Sequence, residues 1–161
     1  INDFHSVRIG VSGAWGDNAG GGDSSVYAAH FQYEWRRNGL DAGGDYFRWK
    51  TEAMWREFEA AGESGKFASL HDSGVSCIAL YGTSCGQGVL EAGLRYDYLQ
   101  GVPNAEFQTR HRISPQLTCY LNQQRTAYVR SQYNYDHISG GEGGHSVWLG
   151  FGLNWGGAEV R

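Results

Sequence analysis

Two short runs, His71-Asp72-Ser73 and His5-Ser6, place an imidazole beside a hydroxyl, the pairing that nucleophilic catalysis requires. Sequence neighbours seldom reach the hydrogen-bonded geometry of a triad, and no enzyme motif surrounds either run. A lipid or peptide hydrolase is therefore the third of three readings, behind two non-enzymatic ones. The six histidines (His5, His30, His71, His111, His137 and His145) are scattered. His137 and His145, at the ends of a glycine-rich loop, would share a metal only if that loop folded back, so no metal site is expected. The runs Gly20-Gly21-Gly22, Gly140-Gly141 and Gly143-Gly144 lack a following Lys-Ser/Thr, which leaves a phosphate-binding loop unsupported and no cofactor implied. Glu91, Arg95 and Asp97 are the densest charged set. Their spacing of two along a strand predicts a salt-bridge ladder rather than paired catalytic acids, which would need a cleft.

Cys77, Cys85 and Cys119 cannot all pair within one chain, and their spacing is not that of a structural zinc site. A Cys77–Cys85 loop disulfide in an oxidising compartment and three free thiols both stand as readings.

The element that would position these residues is the extended strand, because the dominant signal is a period of two. Tyr27, Ala29, Phe31, Tyr33 and Trp35 share a face opposite His30, Gln32, Glu34 and Arg36. Leu90, Ala92, Leu94, Tyr96 and Tyr98 oppose Glu91, Gly93, Arg95 and Asp97. Ala127, Val129, Ser131, Tyr133 and Tyr135 oppose Tyr128, Arg130, Gln132 and Asn134. Val147, Leu149, Phe151, Leu153 and Trp155 form a wholly apolar face against Trp148, Gly150, Gly152 and Asn154. Weaker alternation over 4–15, 40–51, 74–80 and 113–121 brings the total to roughly eight strands.

Connections alternate in length. Asn38-Gly39 reads as a two-residue type I′ hairpin and Asn122-Gln123-Gln124 as a similarly tight turn. Long polar loops are expected over 16–24, 52–73, 100–112 and 136–145, all on one rim. Residues 51–61 are ambiguous: Met54, Trp55 and Phe58 among Glu52, Arg56, Glu57 and Glu59 also fit an amphipathic helix, with extension of the third strand as the alternative.

A chain of 161 residues predicts one domain over 1–161, with enough length for a core. Its 25 glycines accompany only two prolines and 14% aromatics, which excludes collagen-like and proline-rich disordered classes. No stretch approaches the 18 consecutive apolar residues of a membrane helix. A net charge of -4 with only two lysines supplies no polybasic field, so nucleic acid is excluded as a partner. The opening Ile1-Asn2-Asp3 reads as that of a processed product or a fragment of a larger barrel.

Alternation fits both a soluble barrel with an apolar interior and a membrane barrel with lipid outside. Three features favour lipid outside: strands of about 9 to 12 residues, short turns alternating with long loops, and aromatics near strand ends. Those aromatics, Trp15, Tyr33, Trp35, Tyr96, Tyr98, Tyr133, Tyr135 and Trp155, would form interfacial girdles. On the opposite face His30, Glu34, Arg36, Asp41, Asp45, Glu91, Arg95, Asp97 and Arg130 would line the lumen, pairing as a structural plug or leaving a selective ion path. The expected fold is an all-β, antiparallel, up-and-down β-barrel of eight transmembrane strands, both termini periplasmic. The second reading is a soluble eight-stranded barrel that binds a small ligand or a partner protein.

The pieces HFQYEWRRNGLDAGGDYF, LEAGLRYDYL, YLNQQRTAYVRSQYNY and HSVWLGFGLNW resemble the last strands of bacterial outer-membrane β-barrel proteins, in particular phosphate-selective porins. The resemblance covers less than half the chain. It implies a Gram-negative outer membrane, membrane lipid as a partner, insertion by the barrel-assembly machinery, and protein partners in a larger outer-membrane assembly. It also implies a last strand that acts as the insertion signal, matched here by Val147, Leu149, Phe151, Leu153 and Trp155. That family closes on a terminal aromatic, whereas this chain continues Gly156-Gly157-Ala158-Glu159-Val160-Arg161. Porins have about 16 to 18 strands and an aqueous channel, while eight strands leave room for little beyond side chains. The expected role is therefore porin-like or structural.

Overall fold

The computed structural model describes residues 4–18, 20–39, 41, 43–61, 67–102 and 108–154. These form eight strands: β1 (His5–Asp17), β2 (Asp23–Arg36), β3 (Tyr46–Ala61), β4 (Phe67–Cys85), β5 (Gly88–Leu99), β6 (Arg110–Tyr120), β7 (Ala127–Ile138) and β8 (Gly144–Leu153). They make one antiparallel sheet in chain order, each strand hydrogen-bonded to the next. Among the described residues β1 and β8 have no contact with each other, so the sheet has two free edges.

Register follows the alternation. Glu34 lies opposite Arg48, Arg48 opposite Leu80 and Leu80 opposite Gly93, so the charged face of β2 continues across β3, β4 and β5. Tyr33, Trp49, Ala79 and Leu94 continue the apolar face in the same way.

The strands run longer than the sequence spacing predicts. β3 and β4 extend through most of 52–73, so the helix alternative for 51–61 and the long loop there are both corrected to strand. The reason is that β3 and β4 pair residue for residue from Tyr46–Gly82 to Ala61–Phe67, and the ladder outweighs local helical periodicity. The other expected loops shrink likewise, because β1 reaches Asp17, β6 starts at Arg110 and β7 reaches Ile138.

The predicted tight hairpin at Asn38-Gly39 is also corrected. β2 ends at Arg36 and β3 starts at Tyr46, with Arg37 N–H donating to the Asp45 carbonyl at 2.8 Å across the wider connection. Gly39 has φ 60°, but Asn38 is not in the left-handed region, as a type I′ turn would require. At the β6–β7 connection it is Arg125, with φ 58°, that takes the left-handed conformation.

Cys77 and Cys85 are free thiols on the same strand. Eight residues of extended chain separate them by about 26 Å, far beyond disulfide reach, which corrects the loop-disulfide reading.

The sheet buries its polar face. Glu34, Glu91, Ser114, Thr118, Asn134 and Asp136 are all buried, and the small core cluster of Tyr46, Val89 and Tyr120, with Tyr128 against it, sits by the turns. Glycines let the large rings lie flat on that face. Gly82 and Gly152 are the cross-strand partners of Tyr46 and Tyr128, and a Cβ at either glycine would collide with its partner's ring. Replacing Gly82 with Val should therefore lower the unfolding free energy by about 1–3 kcal/mol. Denaturant unfolding checks this, with the exposed turn substitution Gln87→Ala as a control near zero.

Candidate functional site

The polar face is organised in tiers from the turn rim to the loop rim. At the turn rim, the Glu34 carboxylate accepts from Arg36 Nε at 2.7 Å and from Arg48 at 3.2 Å. The Tyr46 hydroxyl reaches past β4, over Gly82, and donates to Glu91 at 2.5 Å. The Arg125 guanidinium lies 4.1 Å from the Tyr46 ring centre and 5.6 Å from that of Tyr120. β3 and β6 are three strand spacings apart, about 14 Å on a flat sheet. Two long side chains leaning toward each other, Tyr46 from β3 and Arg125 from the β6–β7 connection, bridge that gap.

In the middle tier Arg95 pairs with Asp97 at 2.9 Å, and Arg130 donates to Thr118 at 2.9 Å while covering the Tyr128 ring. Gln132, Asn134 and Ser146 form a hydrogen-bonded chain across β7 and β8. At the loop rim Asp136 accepts from Arg110 at 2.7 Å and from Arg112 at 2.8 and 3.1 Å. Arg56 and Asp72 form a second bidentate pair there.

Charge is unevenly divided between the faces. The polar face carries nine strand cations (Arg8, Arg36, Arg48, Lys50, Arg56, Arg95, Arg110, Arg112 and Arg130) against six carboxylates (Glu34, Glu52, Asp72, Glu91, Asp97 and Asp136). That face is thus net positive in a chain of net charge -4, and it attracts anions electrostatically. Among the described residues, cavities open on it at two places. One of about 380 Å³ is bordered by Glu52, Met54, Arg95, Asp97, Arg110 and Arg112, and one of about 350 Å³ by His30, Gln32, Lys50, Glu52 and Arg95.

Of the residues expected to line a lumen, His30, Glu34, Arg36, Glu91, Arg95, Asp97 and Arg130 lie on this one face. Asp41 and Asp45 do not. Asp41 is exposed in the β2–β3 connection, and Asp45, just before β3, accepts from the Thr83 hydroxyl at 2.6 Å and pairs with Arg37 at 3.2 Å. The Thr83 hydrogen bond, with Arg37 adding to it against a smaller opposing effect of desolvation, holds the Asp45 carboxyl below the usual carboxylate range. The predicted ladder is partly corrected as well: Arg95 pairs with Asp97, whereas Glu91 is taken by Tyr46.

Arg110, Arg112, Asp136, Arg56 and Asp72 escape a reading that assigns their segments to loops. The continuing alternation through Arg110-His111-Arg112-Ile113 and Asn134-Tyr135-Asp136 is the signal that identifies them. Tyr46 and Arg125 had no sequence signal, since their contact joins elements that are not neighbours in the chain.

The opposite face carries the aromatics. Trp15, Tyr33, Trp35, Tyr96, Tyr98, Tyr133 and Tyr135 all lie on it, joined by Tyr27, Phe47, Trp49, Trp55 and Tyr81; Trp155 lies outside the described residues. Histidines bond to these tyrosines: His5 Nδ1 to the Tyr33 hydroxyl at 2.9 Å, His111 to Tyr96 at 2.8 Å and His145 to Tyr133 at 2.5 Å. His137 and His145 stand on β7 and β8, not in a loop.

The His71-Asp72-Ser73 run forms no triad. Asp72 faces Arg56, the Ser73 hydroxyl donates to Gln100, and His71 sits 3.9 Å from Glu57. Nor does His5 serve Ser6, since its Nδ1 is engaged by Tyr33.

The Tyr46–Glu91 bond is the most deeply buried polar contact, with both residues at most 2% exposed. Removing its donor strands a carboxyl, so Tyr46→Phe should lower the unfolding free energy by about 2–3 kcal/mol. Glu91→Gln, which keeps an acceptor oxygen, should cost about 1 kcal/mol. Chemical unfolding of the two variants beside the parent checks the order.

Comparison of the chain with protein-family models, curated proteins and solved structures gave no match.

Proposed function

We propose that the chain forms the wall of a bacterial outer-membrane β-barrel, porin-like or structural, with its apolar face to lipid and its electropositive polar face to an aqueous lumen. The observation that carries this reading is the inverted polarity of the sheet. Val11, Leu149 and Phe151 are 83%, 79% and 90% exposed, while Thr118, Glu91 and Asn134 are at most 2% exposed. Fully burying an aliphatic or phenyl side chain is worth about 1.5–3 kcal/mol. An exposed apolar surface of this extent marks a face that meets membrane or protein, which supports the lipid-facing reading.

The extent of the apolar face supports the same reading. Along β3 it runs from Phe47 through Trp49, Thr51 and Ala53 to Trp55, and gives way to Glu57 and Glu59 beyond. Along β4 the corresponding change comes after Val75, at Ser73, His71 and Ser69. Phe47 to Trp55 spans about 26 Å along the strand, or about 20 Å of height at a barrel tilt near 40°, close to the apolar band of a membrane barrel of about 25 Å. The distal ends of β3 and β4 would then stand outside the bilayer. Buried polar atoms without a protein partner, Arg48 Nε and Ser114 Oγ, suit a lumen that holds water.

Free edges have no place in hydrocarbon, where every backbone group must pair. The reading therefore requires β1 and β8 to be joined, either to each other or through further strands. They run antiparallel and both reach the turn rim, as closure of an even-stranded barrel demands.

Two measurements test the proposal. Extraction should require detergent, and electrophoretic mobility should change on boiling; a detergent-free soluble protein of single mobility would instead put the apolar face inward or against a partner. Leu94 lies mid-face on β5 and is 54% exposed. In lipid, Leu94→Arg should destabilise the barrel by about 2–4 kcal/mol, whereas on a water-facing surface it would stay within about 0.5 kcal/mol.

A further inference from the structure

We infer that His111 and His137 form a binding site for a divalent transition metal ion of the Zn²⁺, Ni²⁺ or Cu²⁺ class at the loop rim of the sheet. The two residues are direct cross-strand partners on β6 and β7 and project from the same, non-lumenal face. Their ring centres are 6.1 Å apart, at an interplanar angle of 40°. A metal held at about 2.0–2.1 Å from an imidazole nitrogen lies about 3.2 Å from that ring's centre. Two such rings on one metal therefore have centres roughly 5 to 6.4 Å apart, for tetrahedral to linear ligation. The observed separation falls inside that range.

The surroundings favour ligation by His111. Its Nδ1 lies 2.8 Å from the Tyr96 hydroxyl, and its ring packs against Tyr98 at 5.1 Å. The Tyr96 hydroxyl can accept from Nδ1–H, and a metal on Nε2 would select that tautomer, as outer hydrogen bonds do for ligating imidazoles. His137 is exposed, with its ring against that of His111. The nearby charges, Arg110, Arg112 and Asp136, are on the opposite face and engaged with one another. Imidazole-only ligation selects late transition metals over Ca²⁺ or Mg²⁺. Among the described residues no third metal-ligating side chain joins the pair, so water completes the coordination. The site does not depend on what covers the apolar face below it, and it stands apart from the barrel reading.

The experiment is a Ni²⁺ titration of the full chain, labelled with ¹³C-histidine and kept in the detergent or buffer in which it is folded. The signals of the six histidines are followed by NMR. Paramagnetic Ni²⁺ should broaden the His111 and His137 ring signals first and together. His137→Gln should weaken the response of His111 at least tenfold, and His111→Gln should do the same to His137, while His71→Gln changes neither. Both substitutions are on the surface, and an unchanged pattern for the remaining four rings verifies the fold. Equal broadening of all six rings, or a response of His111 that survives His137→Gln, would overturn the site.

Discussion

Everything in this molecule depends on the antiparallel register, which is kept across all eight strands even where the β6–β7 pairing lapses at Ser114 and Pro115. Because side chains alternate with a period of two, a slip of one residue between any two strands would carry a row of arginines and carboxylates onto the apolar face. The register leaves no such slip, from His5–Trp35 at one end of the sheet to Asp136–Gly144 at the other. Even Pro115, which cannot donate to the ladder, sits in register opposite Leu94 on β5. The division of the sheet into a charged face and an aromatic, apolar face is thus a property of the whole ladder rather than of any one strand.

Given that division, the rest of the polar face is a problem in satisfying buried charge. At the turns, connections from different hairpins meet: Gln123 donates to the Gly88 carbonyl, the Gly44 N–H donates to the Ser84 hydroxyl, and Arg125 caps two tyrosine rings. Arg125 holds a left-handed backbone conformation unusual for a side chain of its size, and its stacking on Tyr46 and Tyr120 offsets that strain. Guanidinium–carboxylate clusters serve both rims, Glu34 bridging Arg36 and Arg48 near the turns and Asp136 bridging Arg110 and Arg112 near the loops. The excess of cations over carboxylates leaves the face electropositive between the rims, where the two cavities open.

The alternating sequence made the strands, their order and their two faces legible, because periodicity is a local signal and each hairpin pairs with its neighbour in the chain. It made the strand ends illegible. Polar residues such as Asp72, Arg110 and Asp136 read as loop when a loop is expected to be polar, yet on a sheet whose buried face is polar they belong to strands. The Cys77–Cys85 loop failed because β4 runs on through Cys85, so its residues are strand throughout. The Tyr46–Glu91 and Arg125–Tyr46 contacts lay beyond sequence reasoning because they join non-adjacent elements, the tyrosine reaching across Gly82 to get to β5. The His111–His137 pairing was hidden by a misplaced end: with β6 started at Ile113 and β7 stopped at Tyr135, neither histidine stood on a strand.

The central claim is that one face of this sheet meets hydrocarbon and the other meets water. The most direct test is nitroxide accessibility along β7 in lipid bilayers, with single labels at Val129, Arg130, Ser131, Gln132 and Tyr133 in a background with Cys77, Cys85 and Cys119 replaced by Ser. The account predicts a period of two, with oxygen accessibility high at 129, 131 and 133 and a water-soluble relaxation agent reaching 130 and 132. Loss of that period, or water-soluble access greatest at 129, 131 and 133, would contradict it.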